Sequence, residues 1–340
     1  MGKLEVVVGG QYGSEGKGAL TAHLAKKLRS NDLAVRVAGP NAGHSVVSRN
    51  QTWRLRQLPV AAAVSSAQLA IAAGSEVELA VLEDEIMKME QKGYQIRSRL
   101  VVDAQVTLIE EKYKEREKDV SVRIGATGKG VGASKVARIM REAKLYGGEV
   151  DVSEKILEIL KEPENTVQIE GAQGYALGFH AGYYPFCTSN DCRAIDMLAM
   201  AGISPWESSV EQLDVWVVTR TYPIRVAGNS GPLPKETNWD DLNKLTNGYI
   251  RPERTTVTQN IRRVAFWDSE IVKRAMRANG SNRAKVALMM FDYWFPETFE
   301  FTQKGLLSTK HLEKIASLEI EIGSKIGFIG TGPDSGIELN

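Results

Sequence analysis

Only two cysteines, Cys187 and Cys192, occur in 340 residues. A chain this long can bury a large core without cross-links, so they are expected to be reduced thiols of a cytoplasmic protein. Long apolar runs are missing as well. Nothing approaches the ~20 residues a membrane helix needs, and Met1–Val8 lacks the apolar segment and cleavage site of a secretory leader. Charge of one sign is also scarce. With 43 Lys+Arg against 42 Asp+Glu, the formal net charge is +1, and no global field draws the chain onto nucleic acid or an anionic membrane. Repeats, low-complexity tracts and proline-rich linkers do not occur. The 43% hydrophobic and 25% charged residues that remain suit a globular enzyme, expected to form one domain over residues 1–340.

The run Leu4–Val8 is apolar and β-branched and ends in Gly9-Gly10, which predicts a buried strand entering a tight loop. Beyond the loop, Ala19–Leu28 carries apolar residues at helical spacing, with Lys26, Lys27 and Arg29 where cations favour the helix dipole. Strand, glycine loop and helix form the opening unit of a phosphate-binding α/β fold. Further strands are expected at Ala34–Ala38, Leu69–Ala73, Leu100–Val102, Thr166–Glu170, Val215–Thr219 and Ala284–Met290. Helices are expected at Glu78–Lys92, Val106–Asp119 and Val152–Leu160. The architecture this predicts is a mainly parallel central sheet flanked by helices.

Between Gly9 and Gly18 stand Gly9, Gly10, Gly13, Gly16, Gly18 and a single lysine, Lys17. Glycines let backbone N–H groups approach phosphate oxygens, the helix start adds positive potential, and Lys17 supplies a point charge. The loop departs from the standard G-x-x-x-x-G-K-[ST] phosphate loop, because position 11 is Gln and position 18 is Gly. The bland alternative is a structural glycine turn, against which the Gly-Lys-Gly at a helix start argues.

Gln11–Gly18 resembles the signature of the adenylosuccinate synthetase superfamily, in which an Asp usually occupies the position of Ser14. Asn41–His44, Ile124–Gly132, Glu170–Gly174 and Gly330–Asp334 match the same family in the same order, with weaker matches at Tyr184–Ser189 and Thr255–Phe266. The resemblance spans Gly9 to Asp334 and implies a P-loop-related α/β fold. It also implies a two-step reaction: a nucleoside triphosphate phosphorylates O6 of a 6-oxopurine monophosphate, and the amino group of L-aspartate then displaces that phosphate.

What the resemblance implies can be placed residue by residue. Ser14 takes the position of the family's base and magnesium ligand, His44 that of the general acid, and the Gly43 carbonyl that of a second Mg2+ ligand. Lys17 and Gln173 complete the catalytic group, with Gln173 orienting the base. The monophosphate falls to Ser14, Asn41, Thr127, Gly128, Arg138, Gln173, Thr188 and Val226. Arg138 matches the arginine that reaches into a neighbouring subunit, which implies a homodimer. The triphosphate falls to Gly13, Glu15, Gly16, Lys17, Gly18, Gly43, His44, Asp292, Gly330, Thr331, Gly332 and Pro333. Aspartate falls to Thr255, Thr256, Val257, Thr258, Arg262 and Arg263.

Three departures bear on the substrate. Ser14 is a poor base and a weaker magnesium ligand than a carboxylate, but it leaves room beside N1 for the exocyclic amine of guanine. That pattern resembles the phage PurZ-type branch of the family, which joins aspartate to dGMP on the way to 2-aminoadenine DNA. Met290 stands where GTP-using members carry a lysine two residues before the Asp of Asp292, which points to ATP or dATP as the donor. Asn260 replaces the first arginine of the family's Gly-Arg-x-Arg-Arg, as a deoxyribose substrate allows. The alternatives are an ordinary synthetase acting on IMP with GTP, and a nucleotide-binding regulatory protein that lost its chemistry. His23, His180 and His311 are read as surface or structural histidines, and the six tryptophans as core or interface packing.

Overall fold

The computed structural model describes residues 1–254 and 260–339. The apolar run at the start becomes the strand Gly2–Gly9, buried along almost its whole length. Successive side chains of a strand point to opposite faces, so an unbroken apolar run needs cover on both sides, as in a parallel sheet. This strand lies inside a nine-stranded sheet. From one edge the order is Gly336–Glu338, Ile326–Gly330, Ala284–Met289, Val210–Arg220, Gly2–Gly9, Thr166–Glu170, Leu33–Arg36, Gln68–Ile71 and Leu100–Val102. Every pairing is parallel except the one between Ile326–Gly330 and the edge strand Gly336–Glu338. The expected α/β fold around a mainly parallel sheet is the fold observed.

All seven strands expected from the sequence are in this sheet, though Val215–Thr219 is only the end of the longer Val210–Arg220. Three of the four expected helices form, as Lys17–Ala25, Leu79–Glu90 and Val152–Lys161. Val106–Asp119 does not form one helix. Thr107–Leu108 is a short strand parallel to Glu76–Val77, followed by the separate helices Glu111–Arg116 and Lys118–Ile124. Val106, Thr107, Leu108 and Ile109 are all buried. The amides of Thr107 and Ile109 donate to the carbonyls of Ser75 and Val77, and this β-branched segment gains more from that pairing than from its weak helical period.

One face of the sheet packs Val6, Val8, Val217 and Val286 with the helix residues Ile156, Leu160, Ile271 and Leu318. The other packs Val7 and Val218 against Leu20, Leu24, Trp216 and Phe328. Trp53, Trp216 and Trp239 are buried, whereas Trp206 is 85% exposed and does not join the core. Both cysteines are free thiols. Among the described residues no helix is long and apolar enough to cross a membrane.

The sheet matters to function through its carboxyl edge. Gly10–Gly16 follows Gly2–Gly9, Val37–Gly43 follows Leu33–Arg36, and Gly171–Gly174 follows Thr166–Glu170. On the other side, Met290 follows Ala284–Met289 and Thr331–Pro333 follows Ile326–Gly330. Parallel strands deliver these segments to one edge, which is where open α/β sheets gather ligands.

Candidate active site

The glycine loop is held from inside by Glu15. Its carboxylate is fully buried and accepts from the amides of Gln11 (3.1 Å) and Gly13 (2.8 Å) and from Lys17 Nζ at 2.5 Å. Glu15 therefore shapes the loop and anchors the lysine, and the Gln11 and Gly13 amides face its carboxylate. Arg220 fixes the outer side by donating to the Ser14 carbonyl (3.1 Å) while its guanidinium pairs with Glu253. Gln11 ties the loop to the same strand, accepting from the Arg220 amide at 2.9 Å. These contacts place Ser14, exposed and in the left-handed region at φ 56°, at the lip of the loop. They also explain the departure at position 18. A Cβ on Gly18 would lie 2.6 Å from the Ser45 carbonyl and 3.0 Å from His44 Cβ, so glycine lets a second element press on the helix start.

That element is the hairpin His44–Ser48 with Gln51–Leu55, which the periodicity did not reveal. It brings His44 to the lysine end of the loop. His44 Nδ1 lies 2.5 Å from Glu170 Oε1 and 2.8 Å from Arg36 Nη1, and all three side chains are buried. Burial, reinforced by Arg36, depresses the imidazole pKa to about 4, with Glu170 opposing. Glu170 is held below the usual carboxylate range by Arg36 and His44, which outweigh its desolvation. A carboxylate can only accept and a guanidinium only donate, and Nδ1 and Arg36 Nη1 both reach the same Glu170 oxygen. The shorter Nδ1 contact is to that acceptor, which favours a proton on Nδ1 and leaves Nε2 as the acceptor of a neutral ring. Arg36 and Glu170 were not expected as site residues. Their signal was a charge closing a short β-forming run, at Leu33–Arg36 and again at Thr166–Glu170.

Asn41, Gln173 and Thr188 line one cleft together with Val131, Asn190 and Cys192, so three of the residues assigned to the monophosphate do converge. Gln173 belongs to a turn packed on the glycine loop: a Cβ on Gly9 would fall on its carbonyl, and one on Gly174 would fall on Glu15. Thr127 and Gly128 precede helix Val131–Ile139, with Thr127 exposed. Val226 is also exposed, just after the strand Ile224–Arg225. Arg138 bonds its own chain, at the Gln105 carbonyl and Thr107 Oγ1.

The aspartate assignments fare differently. Thr255, Thr256, Val257 and Thr258 lie outside the described residues. Arg263 is committed elsewhere: Nε and Nη2 grip Glu236 at 2.7 and 2.6 Å, and Nη1 donates to the Gly231 carbonyl at 2.7 Å. With Nη1 also donating to Ser230 Oγ at 3.1 Å, this guanidinium is engaged on both its side and its end within its own chain. Among the described residues the Arg262 guanidinium makes only a long 3.4 Å bond, to the Arg254 carbonyl; burial lowers its pKa while neighbouring Glu253 raises it.

For the triphosphate, Asp292 is buried at the end of Ala284–Met289 and accepts from Tyr249 Oη at 2.9 Å. Desolvation lifts its pKa above the ordinary carboxylate value. Gly330 and Thr331 are buried, Thr331 donating to the Phe301 carbonyl (2.7 Å), while Pro333 is exposed. Magnesium would find two neutral oxygens here, the Ser14 hydroxyl and the Gly43 carbonyl, both on exposed residues. No group of three or more His, Cys, Asp or Glu side chains among the described residues could hold a metal. Such a donor set suits an ion carried in by polyphosphate and water, which would neutralise charge on the phosphoryl group.

A glycine loop with its anchored lysine, a buried imidazole and a narrow polar cleft now stand at one sheet edge, and comparison with known proteins bears on their grouping. The family model described as adenylosuccinate synthetase matches residues 6–148 and 144–294. The adenylosuccinate synthetase of Methanocaldococcus jannaschii is 35% identical over 97% of this chain and 94% of its own length. That of Pyrococcus horikoshii is 34% identical over 97% and 96%. Among solved structures, the cyanophage S-2L succinoaminodeoxyadenylate synthetase (PurZ), bound to dGMP and dATP as an energy donor, superposes with a TM-score of 0.80. It is 26% identical, over 98% of this chain and 93% of that one. The Plasmodium falciparum adenylosuccinate synthetase superposes at 0.84 but is 18% identical, a likeness of fold. With the model spanning residues 6–294 and the archaeal relatives 97% of the sequence, the chain belongs to the adenylosuccinate synthetase family of C–N bond-forming ligases.

Proposed function

We propose that this ligase condenses L-aspartate with dGMP, using ATP or dATP to activate O6, and yields N6-succino-2-amino-2'-deoxyadenylate. The observation that carries this reading is Ser14. Arg220 and the Glu15 carboxylate fix the backbone on either side of it, so this exposed position offers a short hydroxyl in place of a carboxylate. A hydroxyl leaves space beside purine N1 and can accept from an exocyclic 2-amino group. The bound dGMP and dATP of the cyanophage structure support the same pairing of substrates. On this reading residues 1–340 act as one catalytic unit in the cytoplasm, with no nucleic-acid or membrane partner.

In the reaction so proposed, Lys17 retains two N–H donors beyond the one given to Glu15 and supports the transferring phosphoryl group. His44 lies beside Lys17 and acts on the 6-phosphoryl group, while Gln173 orients the base. Arg262 takes an aspartate carboxylate in place of Arg263. Asp292 reads the base of the triphosphate. A second reading, an IMP-directed synthetase using GTP, is favoured by the archaeal relatives at 35% identity. Phosphate release measured with aspartate and each pairing of dGMP or IMP with ATP, dATP or GTP separates the two. The expected result is turnover with dGMP and an adenine nucleotide; preference for IMP with GTP replaces the first reading by the second.

Arg138 gives a further test. If it reaches a neighbouring site in a homodimer, mixing Arg138→Ala and His44→Ala chains, each inactive alone, restores activity, because hybrid dimers hold one intact composite site. With equal amounts and random exchange, half the dimers are hybrids and each keeps one of its two sites, so about a quarter of normal activity is the ceiling. If exchange is shown by mass-tagged dimers and no activity returns, Arg138 serves only its own chain.

A further inference from the structure

Two fully buried charges stand behind His44 and belong to none of the roles above. Arg36 and Glu170 are 0% and 1% exposed, and they occupy paired positions on neighbouring parallel strands. Ion pairs this deep are expensive to desolvate and contribute weakly to stability, so their place beside one imidazole calls for an account beyond the core.

The hydrogen bonds supply it. Glu170 Oε1 receives His44 Nδ1 at 2.5 Å and also Arg36 Nη1. Its other oxygen receives the Val60 amide at 2.8 Å, so the carboxylate cannot swing. Arg36 is held in turn: Nη2 donates to the Ala42 carbonyl at 2.9 Å and, at 3.5 Å, to that of Arg56. Those two carbonyls bracket the turn and strand that carry His44. Arg56 is itself fixed, its amide 2.6 Å from Glu85 and its Nε donating to the Pro40 carbonyl. His44 Nε2 has no hydrogen-bond partner among the described residues, and the His44 Cβ packs against Gly18 at the helix start.

We infer that Glu170 and Arg36 are positioning residues for His44: Glu170 fixes the ring orientation and the Nδ1–H tautomer, leaving Nε2 unpartnered, while Arg36 locks Glu170 to the His44 turn. The inference rests on the proposed reaction only for what Nε2 meets. The carboxylate–imidazole pair acts through orientation, as a buried acid does when it holds the imidazole of a hydrolase triad. Arg36 offsets the acid's charge, so the pair adds no net charge to a cleft that must receive anions.

Two measurements test it, and only one needs turnover. In ligand-free wild-type protein carrying 15N-histidine, two-bond 1H–15N correlations, assigned with His44→Gln, are expected to show His44 protonated at Nδ1. Free imidazole of histidine prefers the other nitrogen, so an Nε2–H ring at His44 overturns the inference whatever the activity. In the second, Arg36→Met with Glu170→Met removes both charges and leaves neither orphaned. Turnover is expected to fall about tenfold or more, with KM for the monophosphate changed less than about threefold. A folded double variant with unchanged kcat, or one impaired only in KM, overturns the positioning role. Should the double variant fail to fold, the wild-type tautomer decides. Wild-type protein that turns over no purine removes the proposed function, and the tautomer again decides the inference.

Discussion

Lys17→Ala is expected to lower kcat by about 10²-fold or more and to destabilise the fold at the same time. The kinetic part follows from position: a buried cation at a helix start beside His44 meets charge that grows during phosphoryl transfer, and losing one such donor typically costs ~10²–10³ in rate. The stability part follows from Glu15, which is wholly buried and has Lys17 as its cation. Removing one partner of a buried pair leaves an uncompensated charge, at about 3–5 kcal/mol. The two amides that Glu15 also accepts hold the loss toward the lower figure. Denaturant unfolding and single-turnover kinetics, run well below the unfolding midpoint, separate the effects. If stability falls while the rate per folded molecule stays the same, the lysine serves only the loop and the phosphate-cradle reading fails.

The second large effect is one of choice between substrates. Ser14→Asp should shift the ratio of kcat/KM for dGMP over IMP toward IMP by about ten- to a hundredfold, since one buried polar contact is worth ~1–3 kcal/mol. The backbone tolerates the change: φ at Ser14 is 56°, a region that Asp and Asn enter more readily than most residues. Arg220 continues to hold the carbonyl, so the new carboxylate occupies the site of the hydroxyl without a shift of the loop. It would crowd a 2-amino group and offer N1 a base. An unchanged ratio in a protein that prefers dGMP moves the selectivity to another wall of the pocket.

Features read correctly from the sequence share one property: they are local. Val6-Val7-Val8 before paired glycines, and Gly-Lys-Gly before an apolar helical period, carry their own structural cause within ten residues. The hairpin carrying His44 escaped notice because its turn is Arg49-Asn50, both in left-handed conformations (φ 51° and 58°), in place of the Asn-Gly that announces such turns. Thr107–Leu108 was misread as helix because its partners, Ser75 and Val77, lie thirty residues upstream. The Arg36–Glu170 pair spans 134 positions, and no spacing rule reaches that far. Arg263 was assigned to aspartate from the motif it resembles; Glu236, which pairs with it, sits on the adjoining strand of a small antiparallel sheet, out of reach of that motif.

The place of Gly2–Gly9 in the sheet also constrains how the chain can be made. Its two neighbours are Thr166–Glu170 and Val210–Arg220, with Val6 registered against Ile169 and Val215. During synthesis from the amino end, the first strand therefore waits for both partners. At roughly 5–20 residues per second, that delay is on the order of 10–40 s. Throughout it, Val6, Val7 and Val8 are an apolar β-forming segment with both hydrogen-bonding edges open, the kind that pairs with other chains. The phosphate loop at its end cannot acquire its shape before then either, because Gln11 and Ser14 are fastened to Arg220. Nascent chains should thus depend on a holding chaperone until the ribosome has passed residue 220, and the capacity to bind nucleotide should appear late and all at once.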